Sequence, residues 1–176
     1  MTPDYRELFR ALAPETALVL GALLVLGVDL TVARHRSLGS RQGIAAWLGI
    51  VATGAAVGCA LAFHPGDSVF GDVLALDALT RAVRIGALGL TALTLLLTPT
   101  AAATLRHPAE YVAIVLFATV GFTLMAAAQQ LLLAFLALEL ASLSRYVLAG
   151  FGKPRPESAE AALKYFLFGG MSAAFL

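Results

Sequence analysis

Charge is scarce in this chain of 176 residues: Asp, Glu, Lys and Arg make up 13%, against about 25% in a soluble domain. That is too little to coat a water-facing surface. Cysteine is scarcer still, since Cys59 stands alone, cannot form an internal disulfide, and lies in an apolar run with no His or carboxylate at ligand spacing. Zinc and iron–sulfur patterns are absent, as are the glycine-rich loops that cradle nucleotide phosphates. The chain therefore offers no cofactor site of its own, and any redox chemistry belongs to a partner. With a net charge of +1 and no cluster of Lys and Arg, a nucleic-acid partner is excluded too.

What the chain has instead is apolar length. Hydrophobic residues make up 60%, and Gly43–Phe63 and Ile85–Leu105 are each free of charged residues over 21 positions, where a bilayer-crossing helix needs about 20. Six apolar segments can be marked: Ala17–Ala33, Gly43–Phe63, Ile85–Leu105, Tyr111–Ala128, Leu131–Phe151 and Ala161–Leu176. Helices satisfy their own backbone in lipid, and no alternating ten-residue segments suggest a barrel. The sequence thus predicts an all-α, polytopic transmembrane helical bundle in a single membrane domain, embedded in the lipid bilayer, with about six spans and the last one cut short. The first segment follows Asp4, Arg6, Glu7 and Arg10, which sum to zero charge, so a retained span is expected over a cleaved signal peptide. Lys and Arg in the connections favour an outside N-terminus. In that orientation Arg34, Arg36, Arg41, Arg106, Lys153 and Arg155 lie inside, and Arg6, Arg10, Arg81 and Arg84 outside.

Between the second and third segments, Pro65-Gly66-Asp67 signals a turn. The apolar spacing of Val73, Leu74, Leu76 and Leu79 fits an interfacial amphipathic stretch or an early start to the third helix. Pro99 removes one hydrogen bond within that helix, giving a kink or a tolerated membrane proline. Gly54 and Gly58, with Ala55 and Ala62, form a thin face where a neighbouring backbone can approach.

Four charged residues fall inside or beside spans, where a central Asp, Lys or Arg costs roughly 2.5–3.5 kcal/mol on insertion scales. Asp29, close to the inside end of its span, reads as a snorkelling or headgroup residue. Glu139 differs, because eight residues precede it in its segment and twelve follow, so no snorkel reaches water. Desolvation at that depth favours its neutral form unless a cation is close, which suits a group that gains and loses a proton; a structural interhelix hydrogen bond is the plainer alternative. Ser142 shares its helix face at i+3. Arg145, six positions on, is not placed for an intrahelical ion pair and reads as snorkelling or as a cation beside the polar pathway. Glu157, Glu160 and Lys164 run down one face of the sixth segment. Lys164 either reaches the level of Glu139 on the preceding helix or pairs with Glu160 at i+4.

The residues around these charges carry a resemblance. The run LELASLSRYVLAGF around Glu139 and the run SAEAALKYF around Lys164, in this order and spacing, resemble the subunit N family of bacterial NADH:quinone oxidoreductase, respiratory complex I, an antiporter-like membrane subunit. The likeness is strong from Glu110 onward; the first 109 residues agree in span count, polar connection and orientation. The resemblance implies a multi-pass subunit of the bacterial inner (plasma) membrane. That subunit takes part in proton translocation coupled to electron transfer from NADH to quinone, as part of a translocase. It implies Glu139 and Lys164 as the proton relay, with Arg145, Ser142 and Glu160 as modulators. It also implies that NADH, flavin, iron–sulfur clusters and quinone are bound in partner subunits, among other membrane-arm subunits of complex I. Arg145 and Gln129–Gln130 depart from common family choices, and Arg145 alters the field at Glu139. Family members have about fourteen spans, so the chain is expected to be the N-terminal part of a longer subunit. A cation/proton antiporter module unconnected to NADH, or a non-catalytic assembly fragment, are the alternatives.

Overall fold

The computed structural model describes residues 5–62, 68–69, 73–101, 106–152 and 155–175. A short helix α1 (Tyr5–Ala11) precedes α2 (Ala13–Thr31), a 3-10 turn over Ala33–His35 leads into α3 (Leu38–Ala62), and α4 (Ala78–Ala101), α5 (Pro108–Ala127), α6 (Leu131–Ala149) and α7 (Pro156–Ala174) follow. The helices α2, α3, α4, α5 and α6 are long and apolar enough to cross a membrane. The sixth apolar segment is helical as α7, whose first turns also carry Glu157, Glu160 and Lys164. The all-α membrane bundle read from the sequence is the observed architecture. Several helices start earlier than the apolar runs, because a helix continues through polar residues once its backbone can reach interfacial water.

The connection before α4 resolves the choice left by the sequence. Of its described part, β1 (Ser68–Val69) and β2 (Leu74–Ala75) form a minimal antiparallel pair with Ser68 opposite Ala75. The chain then enters α4 at Ala78, the early start to the third helix. Asp77 caps it, its carboxylate accepting from the Thr80 N–H at 2.7 Å. Leu74 and Leu76 are buried with Ala11 and Ala127, so this segment closes one end of the bundle. The Gln129 N–H donates to the Val73 carbonyl at 3.0 Å, fastening the α5–α6 connection to the same end. Pro65-Gly66-Asp67 lies outside the described residues. The backbone of α4 stays helical past Pro99 to Ala101.

Helix α5 is central, packing against α2, α3, α4 and α6. Its Val112 and Leu116 meet Leu18 and Ala22 of α2, Ala45 and Ala56 of α3, and Leu88 and Leu95 of α4 in one cluster. In lipid this association rests on close packing, since the tails are as apolar as leucine. Small residues set the distances. A Cβ on Gly21 would collide with the Ala52 side chain, and one on Gly121 would lie 2.6 Å from the Ala141 backbone nitrogen. The face expected to be thin is a different one: Gly54 and Gly58 are exposed, with no atom within 4 Å of a built Cβ. Among the described residues nothing packs on this face. Helix register puts it on the outer side of α3, beside the exposed Trp47 and Val51. Threonines inside the spans bond back to their own helix, as Thr53 does to the Gly49 carbonyl at 2.8 Å and Thr119 to that of Val115 at 2.9 Å.

Candidate functional site

Helix α6 carries Glu139 near its middle, and α7 folds back along it. A hydrogen-bonded corner sets the turn: the Ser158 hydroxyl donates to the Ala149 carbonyl at 2.7 Å and accepts from the Gly152 N–H at 3.2 Å. Gly150 admits Ala162, whose side chain would lie 2.9 Å from a Cβ there. Further along, Gly169 makes room for the hydroxyl end of Tyr146. The Tyr146 ring meets Tyr165 and Phe166 edge-on, with centroids 5.6 and 5.9 Å apart. These contacts hold the two helices together at their common end and leave a gap beside Tyr146.

That gap is a cavity of ≈ 360 Å³ lined on α6 by Glu139, Ser142, Arg145 and Tyr146, and on α7 by Gly169 and Ser172 among others. Glu139 is half-buried on its wall. The Arg145 Nη2 donates to the Ser142 hydroxyl at 3.1 Å, and its guanidinium lies 5.5 Å from the Phe122 ring centroid, a cation–π contact with α5. The Arg145 side chain is turned in between Ser142 and Phe122. Glu139 and Arg145 form no ion pair among the described residues. They nevertheless face one cavity, so a carboxyl, a hydroxyl and a guanidinium share a space large enough for water. Such an arrangement can take up, hold and release a proton.

Of the two readings of Lys164, the pairing with Glu160 at i+4 is the contact present. Its Nζ pairs with Glu160 of its own helix at 2.5 Å, both side chains about two-thirds exposed. Lys164 is not among the residues lining the cavity. An i+4 partner is reached without crossing between helices, and the outer face of α7 leaves both side chains free to meet. Asp29, near the end of its span, has a partner the sequence did not suggest: both of its oxygens accept from Arg41 at the start of α3, at 2.9 and 2.5 Å from Nε and Nη2.

Sequence reasoning missed one pair altogether. Glu15, near the start of α2, and Arg84, in the second turn of α4, are each 4% exposed and stand 3.0 Å apart. No spacing in the sequence singles out Glu15, and Arg84 counts there only among the outside connection charges. Only their shared end of the bundle, reached across 69 positions of sequence, brings them together.

Residues 128–176 match the family model described as the NADH:quinone oxidoreductase/Mrp antiporter transmembrane family. Over 181 aligned residues the chain is 39% identical to NADH-quinone oxidoreductase subunit N 2 of Acidobacterium capsulatum, covering 98% of this chain and 36% of that protein. It is 37% identical to NADH-quinone oxidoreductase subunit N of Geobacillus kaustophilus, over 94% of this chain and 33% of that protein. It is also 34% identical to F(420)H(2) dehydrogenase subunit N of Methanosarcina mazei, over 94% and 34%. The resemblance carried by the Glu139 and Lys164 runs is therefore shown, and it extends over nearly the whole chain. The chain spans about a third of the length of these curated relatives.

Proposed function

We infer, from a chain similar over nearly its whole length to subunit N of NADH-quinone oxidoreductases, that it works as part of a proton-translocating membrane-arm subunit. Translocation is coupled to electron transfer from NADH to quinone in partner subunits. The observation that carries this reading is Glu139, half-buried in the middle of a membrane-spanning helix on the wall of a cavity it shares with Ser142 and Arg145. In this reading Glu139 holds the proton in transit. Glu139 and Arg145 line the same cavity from one helix, so a proton carrier and a fixed cation share its water-sized space. Ser142 fixes the guanidinium, so the cation has a set position. Lys164, held by Glu160 in this arrangement, is the mobile charge. Its release toward α6 would drive the proton off Glu139, and its return would let the next one bind.

NADH, flavin, iron–sulfur clusters and quinone are assigned to partner subunits. This chain has one cysteine, whereas such clusters are held by sets of thiolates. The partners are further membrane-arm subunits and the lipid of a bacterial inner membrane. One of the relatives is named for F(420)H(2), not NADH, which supports placing the choice of electron donor outside this chain. The test is Glu139→Gln in the full-length subunit within its assembled complex. We expect NADH-driven acidification of vesicles to fall several-fold while the complex still migrates intact on a native gel. Pumping at the wild-type level would remove Glu139 from the path. Ion exchange that persists in membranes with NADH oxidation blocked would favour an antiporter module instead.

A further inference from the structure

The Glu15–Arg84 pair lies where four helices meet at one end of the bundle. Glu15 is in the first turn of α2 and Arg84 in the second turn of α4. Arg84 also points its Nε at the Thr123 carbonyl near the end of α5 and its Nη1 at the Ala11 carbonyl that ends α1, each at 3.4 Å. These are long bonds, so the guanidinium is guided more than clamped. The 3.0 Å contact with Glu15 is close but poorly aligned. Both Glu15 oxygens and the Arg84 Nη2 are buried without a full hydrogen bond. A charge pair this deep is costly when its remaining donors and acceptors are unsatisfied.

Arg84 also lines a cavity of ≈ 20 Å³, together with Arg10, Cys59, Asp77, Thr80 and Arg81 but not Glu15. That is room for about one water, in a lining that is mostly apolar, with Ala11, Pro14, Ala60 and Leu76 beside the polar side chains. The charged groups around the pair come from α1 (Arg10) and from the start of α4 (Asp77, Arg81); α3 contributes Cys59, and α5 the Thr123 carbonyl. The two members of the pair respond differently to separation. Arginine cannot give up its proton in a protein, whereas an isolated carboxylate in a dry site neutralises by gaining one.

We propose that Glu15 and Arg84 form a second proton-exchange site of this chain, in which withdrawal of Arg84 toward the neighbouring cavity lets water deliver a proton to Glu15. In that step one hydronium proton forms an O–H bond with Glu15 Oε1 or Oε2, a water molecule remains, and the local charge rises by one. Return of Arg84 expels the proton to water. The inference goes beyond the Glu139 reading and does not depend on it, because it concerns proton uptake at one site and not transport.

The test is infrared difference spectroscopy of the protonated-carboxyl C=O band at neutral pH, on the intact complex containing the full-length subunit. Arg84→Met is expected to add the signal of one protonated carboxyl relative to wild type, with the band shifting in D2O. Glu15→Gln/Arg84→Met, which removes both charges and so avoids leaving one buried alone, is expected to lose that signal. Equal carboxyl bands in the single and double variants would overturn the proposal. Glu139→Gln serves as the control: it removes a different carboxyl and leaves the Arg84→Met increment in place, so failure at one site is distinguishable from failure at the other.

Discussion

In α5, 56% of the membrane window is buried within the chain; in the adjoining α6 the figure is 22%. The two helices contact each other, yet they belong to differently built regions. Around α5 the helices α2 to α4 close on Gly21, Ala52 and Ala56, and the charges that enter this region are paired: Glu15 with Arg84, and Asp29 with Arg41 at its edge. Between α6 and α7 the aromatic contacts of Tyr146 hold the helices while a cavity is left open, and Glu139 stands on its wall without an ion-pair partner among the described residues. Dense packing keeps a charge by giving it a partner. Loose packing keeps a protonatable group by leaving it water. The difference predicts where mutations act chiefly on stability and where chiefly on transport.

The largest stability effect is expected at the paired end. Glu15→Gln strands an arginine that cannot neutralise itself and should cost about 3–5 kcal/mol. Arg84→Met should cost less, since the remaining carboxyl can take a proton, and the double variant least. Thermal unfolding of the purified subunit in lipid checks this order, and equal losses for all three would break the distinction between the two charges. Next comes Gly121→Ala, where the new methyl meets the α6 backbone. A loss of about 1–3 kcal/mol is expected from overpacking. Gly54→Ala, on the open face of α3, should be neutral or gain up to about 1 kcal/mol from helix propensity. If both alanine variants behave alike in the same assay, the packed and open faces do not differ as described.

At the loose end, Lys164→Ala should change stability by no more than about 0.5 kcal/mol, as for other exposed pairs, while altering the rate of NADH-driven pumping. A stability loss without a pumping change would make Lys164 structural. The smallest effect belongs to Asp77, outside the spans, where the Thr80 N–H and then the Thr80 hydroxyl hold its carboxyl below the ordinary carboxylate range. A folded-state value below the unfolded one means that stabilisation is present above the unfolded pKa, about 3.9, and fades as pH falls through the folded value. Asp77→Asn should therefore lower the midpoint of thermal unfolding slightly at neutral pH, and the gap should close on acidification. A gap that widened in acid would refute the cap.

The spans were legible because hydropathy accumulates along the chain, and α2 to α6 each sit on an apolar segment read in advance. The position of Glu139 in mid-helix was legible for the same reason. Its neighbours on α6 followed from helical spacing, so Ser142 was placed correctly on its face. The partners of the charges were legible only where they lay within one helix turn, as Glu160 and Lys164 do. Asp29 gave a local signal, a carboxylate near a span end, but its partner Arg41 lies across a connection and was not anticipated.

The sequence by itself determined that this chain is built of bilayer-crossing helices, how many apolar segments it has, which carboxyl stands in mid-segment, and which subunit family it resembles. These depend on composition and on spacing along one helix, and lipid enforces them by requiring each backbone to bond to itself. The tertiary structure decided which glycines face a neighbour, which way Arg145 turns, and that Glu15 meets Arg84. Those depend on the rotation and crossing of whole helices, and small-residue contacts far from the charges fix them.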